Sequence, residues 1–180
     1  MRRYLPKVRV GRAALGFRVR SGWAVSILID GSVRSPPLCE SDAINLSDPR
    51  NPEMRQPYHA AMGILEMNAA KLTRRVQSVR QITEKSIVNL LKRCTDNGYA
   101  IRRAALVVGS VINPDSITNP HIRAHALEGR LFRTTLETAL QSRRIQSRFS
   151  SSVIHTQQGR NSSANHALKY SERLPISAVP

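Results

Sequence analysis

The sequence predicts an α/β fold in which a three-strand antiparallel meander is followed by a helix, a strand, a second helix and a last strand. Three observations predict this order. Short apolar stretches separated by the turn signals Ser21-Gly22 and Asp30-Gly31 indicate three strands over residues 14–46. After Pro57, apolar residues recur every three or four positions, which is the period of a helix. Residues 99–109 then predict a strand, because their apolar centre at residues 104–108 is typical of a buried strand.

The strands of the meander follow from their side-chain patterns. Residues 14–20 are expected to form the first strand. Residues 23–29 form the second, and their nearly continuous apolar composition suits a strand buried on both faces. The third strand is predicted within residues 32–46. Its Pro36-Pro37 pair indicates an edge strand or a bulge, because proline has no backbone N–H to donate to a neighbouring strand.

Two helices are expected to pack on this sheet. Residues 57–97 are predicted as one long helix, or as two segments broken near residues 81–86, with a C-terminal cap at Asn97-Gly98. Asn119 is the cap of a second helix, predicted over residues 120–141 with a proline in its first position.

The remaining segments set the limits of the domain. Residues 104–108 are the centre of a strand expected to run parallel to the first strand, and residues 146–154 are a candidate final strand. Residues 1–13 are basic and irregular in pattern. Residues 156–180 are rich in Gln, Ser, Asn and Gly, which is typical of a poorly ordered tail. One domain is therefore expected over residues 14–155.

The charge of the chain points to phosphate-bearing partners. The 180 residues carry 28 Lys+Arg against 12 Asp+Glu, a formal net charge of +16, and 23 of the basic residues are Arg. Arginine binds phosphate with two parallel hydrogen bonds, so nucleic acid or a phosphate-bearing ligand is expected. Two cysteines, Cys39 and Cys94, with no CxxC pair predict reduced thiols in a cytoplasmic protein. No apolar run is long enough for a membrane span.

The predicted element order is that of the ribonuclease H-like fold, which actin-like domains and resolvases share. Three parts of the sequence, residues 15–24, residues 46–49 with 55–60, and residues 121–133, look like an uncharacterised family of bacterial proteins. The resemblance covers about residues 14–145. It implies the fold and does not imply an activity.

The expected topology brings distant segments to one edge of the sheet. The first, third and fourth strands end at the same edge, and the helices that follow begin there. Helix N-termini favour anions, so a phosphate-binding site is expected at this edge. The candidate binding residues are Arg18, Ser21, Gly22, His59, His121 and His125.

A second pattern lies within the last helix. His121, His125 and Glu128 are four and then three residues apart, which places them on one helix face. Two histidines at this spacing can share a metal ion, but no ligand from outside the helix is evident, so a hydrogen-bonded polar cluster is favoured over a metal site and the cofactor stays open. His59 is expected to open the preceding helix. The candidate catalytic residues are His59, His125 and Glu128.

Nuclease chemistry on this fold uses metal ions held by carboxylates, the first of them on the first strand. That strand carries Gly16, Phe17 and Arg18 at its centre and has no Asp or Glu. This departure argues against a nuclease of the resolvase or ribonuclease H type.

Three functions follow from these observations. The favoured one is non-catalytic binding of nucleic acid through an arginine-rich surface on the first long helix, with Lys71, Arg74, Arg75 and Arg80 as the contacting residues. The second is an enzyme at the carboxyl edge of the sheet that acts on a phosphate-bearing small molecule or on nucleic acid. The third is an interaction subunit in which the 57–97 helix pairs with a partner or with a second copy of the chain.

Overall fold

The computed structural model describes residues 11–31, 34–35, 37–61, 64–109 and 111–151. Its elements, in chain order, are β1 (Gly11–Arg20), β2 (Trp23–Asp30), β3 (Leu38–Asn45), β4 (His59–Ala61), β5 (Ile64–Leu65), α1 (Ala69–Asp96), β6 (Tyr99–Val108), α2 (Pro120–Ser142) and β7 (Gln146–Ser151). Short 3₁₀ helices over Pro52–Arg55 and Pro114–Ser116 precede β4 and α2.

Five of the strands form one mixed sheet in the order β3-β2-β1-β6-β7. The first three strands are an antiparallel meander, and β1, β6 and β7 run parallel. The predicted α/β class is therefore confirmed, as is the prediction that the meander and the strand near residues 101–109 share a sheet. This strand order and these directions are those of the ribonuclease H-like fold.

Both helices pack on one face of this sheet. Leu15 and Phe17 of β1 point towards them and join a core that includes Leu106 of β6 and Leu136 of α2. Because successive residues of a strand point to opposite faces, the even-numbered residues of β1, such as Arg18, lie on the other side. We call this second side the open face, since neither described helix packs on it.

The turn between β1 and β2 is held by the chain that leaves β3. Gly22 has a φ of 84°, a conformation that side chains other than glycine rarely adopt. Its carbonyl accepts hydrogen bonds from the backbone N–H of Leu46 at 2.9 Å and of Ser47 at 3.0 Å. The hydroxyl of Ser47 donates to the same carbonyl at 3.2 Å. The turn therefore contributes to the packing of the meander.

The first predicted helix is wrong in its N-terminal third. The described residues between 57 and 68, which are 57–61 and 64–68, do not form a helix. They contain the short strands β4 and β5, and α1 begins only at Ala69. Asn68 fixes that start, because its side chain accepts from the backbone N–H of Lys71.

Further on, α1 continues through residues 81–86 without a break. There Thr83 is buried and donates to the carbonyl of Leu46, so a polar residue occupies the inner face.

The other boundaries differ less from the prediction. β1 starts three residues earlier than expected, at Gly11, and β3 starts only at Leu38, after the two prolines. Asn119 caps α2 as predicted and accepts from two backbone N–H groups of its first turn. The last strand runs from Gln146 to Ser151, and the predicted tail at residues 156–180 lies outside the described residues. Within the described residues no helix is both long and apolar enough to cross a lipid bilayer.

Two alanine substitutions should have opposite effects on stability. A Cβ at Gly22 would lie 2.6 Å from the Oγ of Ser47, in an unfavourable backbone conformation, so Gly22→Ala should lower the free energy of unfolding by roughly 1–3 kcal/mol. Gly129 lies in α2 with open space around its Cα, so Gly129→Ala should raise it by up to about 1 kcal/mol. Urea unfolding of both variants measures the difference, and equal effects would contradict the described turn.

Candidate functional site

The candidate site is built around a carboxylate buried in the middle of α2. Glu128 is buried, with only 1% of its side chain exposed. Its Oε1 accepts a hydrogen bond from Nδ1 of His59 at 2.7 Å and a second from the backbone N–H of Tyr58 at 3.3 Å. Glu128 therefore ties α2 to the segment that contains β4, about 70 residues earlier in the chain.

Three histidines converge beside this carboxylate. The ring centroid of His125 lies 4.6 Å from the centroids of both His59 and His121. Nε2 of His59 is 3.2 Å from Nδ1 of His121, and Nδ1 of His125 is 3.3 Å from Oε2 of Glu128. His59 is buried, whereas His121 and His125 are exposed. We call His59, His121, His125 and Glu128 the histidine cluster.

Local structure explains why these side chains meet. The turn of an α-helix places His121, His125 and Glu128 on one face, as predicted. His59 comes from outside this helix, on β4, because the β4–β5 hairpin packs against α2. The prediction that His59 opens a helix is wrong, yet the expected approach of His59 and His125 is confirmed.

A buried arginine holds the same hairpin on its other side. Arg75 of α1 is only 3% exposed and donates to the carbonyls of Pro57 at 3.1 Å and His59 at 2.9 Å. Its guanidinium also forms ion pairs with Glu53 and Glu66. The prediction that Arg75 contributes to a nucleic-acid surface is therefore wrong, because its charged group is enclosed by these partners.

The other basic residues predicted for this surface differ in their surroundings. Lys71 pairs with Glu66 at 3.3 Å, which neutralises part of its charge. Arg74 and Arg80 are exposed on α1. Glu84 lies one turn beyond Arg80 and pairs with Arg143, the residue that follows α2. The helix surface is therefore a mixture of both signs of charge.

A cleft gives access to the histidine cluster. Its volume is about 330 Å³, and Gln56, His59, Ala60 and His121 are among the residues that line it. A ligand in this cleft would lie against the rings of His59 and His121.

The structure does not bring every predicted site residue to the cluster. Arg18 lies on the open face, whereas α2 packs on the opposite face of the sheet. Gly22 uses its carbonyl to hold the end of β3. Ser21 lines a different cavity, of about 290 Å³, with Arg20 and Arg133. The predicted common site therefore contains the three histidines, while no described contact joins Arg18, Ser21 or Gly22 to them.

The open face is a basic surface that the sequence interpretation missed. Its exposed arginines come from three neighbouring strands and include Arg18, Arg20, Arg103 and Arg148. Trp23, which is 39% exposed, pairs with Arg20 across β1 and β2. Among the described strand residues that point to this side there is no Asp or Glu. The signal was present in the sequence, since Arg18 and Arg20 alternate with the inward-facing Phe17 and Val19.

Solved structures with a similar arrangement were found. RuvC of Thermus thermophilus, in complex with a Holliday junction substrate, is 8% identical with a TM-score of 0.44, and the match covers 78% of this chain and 65% of that one. A Ppx/GppA family member from Aquifex aeolicus is 8% identical with a TM-score of 0.36, covering 78% of this chain and 35% of that one. An exopolyphosphatase from Cytophaga hutchinsonii is 8% identical with a TM-score of 0.29, covering 77% and 34%.

With TM-scores below 0.5 and 8% identity, these matches carry no argument about this chain. The chain spans less than two thirds of the length of each of these three proteins. No protein-family model matches the sequence, and no curated protein matches it. The ribonuclease H-like arrangement rests on the order and directions of the strands in the sheet itself. The chemistry must be argued from the side chains.

Acid should loosen the segment that carries His59. The backbone N–H of Asn68 lowers the pKa of Glu66 below its ordinary value of 4.5, and Lys71 and Arg75 add to this effect. The hydrogen bond from Arg75 likewise lowers the pKa of Glu53. Carboxyls with a lowered pKa in the folded state stabilise it above the unfolded value, and this stabilisation is lost as the pH falls through the folded value.

The free energy of unfolding should therefore fall as the pH drops from 5 towards 3, and should fall less in Glu66→Gln. Urea unfolding at several pH values measures this slope. Glu84→Gln, which removes one exposed carboxylate from α1, is the control for the loss of a negative charge. Equal slopes in the two variants would contradict a special role for Glu66.

Proposed function

We propose that this protein binds nucleic acid through the open face of its sheet. The observation that supports this function is the combination of exposed arginines on three neighbouring strands with no acidic side chain among the described strand residues of that face. Guanidinium groups bind phosphate oxygens with two hydrogen bonds, and a surface of one sign attracts a polyanion over a long range. The net charge of +16 favours the same class of partner.

The arrangement of the open face suits contacts with a sugar–phosphate backbone. Arg18, Arg103 and Arg148 lie on the neighbouring strands β1, β6 and β7. Neighbouring strands of a sheet are about 5 Å apart, and the three arginines are also offset from one another along the strands. Trp23 adds an aromatic ring on which a base can stack. Contacts with phosphate carry little sequence information, so weak sequence preference is part of the proposal.

The surface of α1 is less suited to a polyanion. Arg75 is enclosed, Lys71 pairs with Glu66, and Glu84 stands among the exposed basic residues. Pairing of two copies through α1 also has less support, because Val79 and Ile87 of this helix are already buried in the core.

Charge reversal on the two surfaces tests the proposal. In Arg18→Glu/Arg103→Glu/Arg148→Glu, the affinity for a fluorescent duplex should fall at least about 10-fold near 0.1 M salt, because phosphate contacts are lost. The slope of log affinity against log salt should become shallower by about 2–3, at about 0.9 for each contact. Fluorescence anisotropy over a salt series measures both quantities.

The matched control is Arg74→Glu/Arg80→Glu/Lys85→Glu, which changes the net charge equally but lies on α1. It should retain most of the affinity. A greater loss in this control than in the open-face variant would transfer binding to α1, and the absence of binding by the unmodified protein would contradict the function. Circular dichroism checks that both variants are folded.

A second candidate function is an enzyme that acts on a phosphate-bearing substrate at the histidine cluster. The specific observation in its favour is the 2.7 Å hydrogen bond from His59 to the buried Glu128, beside a cleft that a substrate can enter. A histidine held by a carboxylate is a common acid–base pair in enzymes, and exposed His125 adds a second imidazole.

Hydrolysis of bis(4-nitrophenyl) phosphate tests this candidate. His125→Ala and Glu128→Gln should each lower the rate by about 10²-fold or more, because acid–base groups contribute about 10²–10⁴-fold. The open-face triple variant should keep the rate for this small substrate. No turnover by the unmodified protein, or equal rates in all variants, would exclude the cluster from this chemistry.

A further inference from the structure

We propose that His59, His121 and His125 bind one divalent transition-metal ion of the zinc type, with Glu128 as the residue that positions two of the rings. The ligand-capable atoms of the three histidines all lie within 4.8 Å of one another. This metal site is independent of nucleic-acid binding, and it uses the side chains of the second candidate function without depending on catalysis.

The spacing of the nitrogens suits a shared ion. Zinc–nitrogen bonds are about 2.0–2.1 Å long, so two ligands of a tetrahedral zinc ion lie about 3.3 Å apart. Nε2 of His59 and Nδ1 of His121 are already 3.2 Å apart. Exposed His125 is the remaining ligand, and its ring has room to adjust because 44% of the side chain is accessible.

Glu128 fixes the available nitrogen of His59 by a hydrogen bond and lies beside one nitrogen of His125. Nδ1 of His59 donates to Oε1, which leaves the lone pair of Nε2 for an ion. Nδ1 of His125 lies 3.3 Å from Oε2, so Nε2 of that ring is turned away from the carboxylate. Carboxylates behind metal-bound histidines commonly orient the rings in this way.

The burial of Glu128 is a second, independent sign of a missing positive partner. Its side chain is 1% exposed, and Oε2 accepts no hydrogen bond from any described residue, although Nδ1 of His125 lies 3.3 Å away. A buried carboxylate is costly unless nearby positive charge or hydrogen bonds compensate for it. A divalent ion held by His59 and His125 would supply that charge, with one imidazole ring between the ion and each carboxylate oxygen of Glu128.

The donor set selects the class of metal. Three imidazole nitrogens suit zinc, cobalt, nickel and copper, whereas magnesium and calcium prefer oxygen ligands. Three protein ligands leave a fourth tetrahedral position, as in zinc sites that bind water or substrate. His59 and His121 both line the cleft of about 330 Å³, so this position is accessible from it.

Metal binding to the untagged full-length chain tests the inference directly. After treatment with a chelator and removal of the chelator, titration with Zn²⁺ should show one ion per chain, and Mg²⁺ should not compete at a large excess. Co²⁺ should give the visible absorption bands of a tetrahedral site. Isothermal titration calorimetry and absorption spectroscopy provide these measurements without any assay of activity or nucleic-acid binding.

Variants assign the site to the cluster. His121→Ala/His125→Ala removes two exposed ligands, so the protein should stay folded and lose at least 100-fold in zinc affinity. Glu128→Gln should keep all three ligands yet lose about 10–100-fold, which is the usual effect of removing a carboxylate behind a ligand. His155→Ala/His166→Ala removes the two histidines outside the cluster and should retain the full affinity.

The opposite results would overturn the inference. An unmodified protein that binds no zinc at micromolar concentration excludes the site. So does a cluster variant that binds as tightly as the control, because the ion would then be held elsewhere. Thermal unfolding, followed by circular dichroism without metal, checks that each variant is folded before its affinity is compared.

Discussion

The position of the histidine cluster depends on the burial of one guanidinium group. Arg75 cannot be desolvated without partners, and α1 alone does not provide them. The segment before the helix supplies two carboxylates, from Glu53 and Glu66, and the backbone carbonyls of Pro57 and His59. The bonds from the guanidinium of Arg75 to these acceptors hold the chain around β4 in one conformation beside α1, and they thereby fix the position of His59.

Glu128 applies the same constraint from the other helix. Its carboxylate accepts from the backbone of Tyr58 and from the ring of His59, so the hairpin lies between two buried charged groups of opposite sign. Neither buried charge has its hydrogen-bond partners unless this segment is correctly placed. The hairpin is short, and these long-range bonds rather than its own strand pairing determine where His59 lies.

The sequence predicted the elements that are determined locally. Alternation identified β1 and β2, and Asn119 with Pro120 identified the start of α2, because both signals act within a few residues. The helical spacing after Tyr58 was misleading, since the partners that turn this segment into a hairpin are Arg75 and Glu128, far along the chain. For the same reason the sequence places Arg75 on the surface of the helix: its charge is visible in the sequence, but its burial is not.

The two-residue period of β1 separates the open face from the histidine cluster. Phe17 points into the core beneath the helices, so Arg18 must point to the open face, and no change of rotamer brings it to the histidines. A ligand in the histidine cleft and a polyanion on the open face therefore occupy different sides of the sheet. The sugar–phosphate backbone of a nucleic acid bound to the open face could reach the histidine cluster only by passing around an edge of the sheet. It follows that the basic surface and the histidine cluster must each be explained by their own chemistry, and that losing one should leave the other intact.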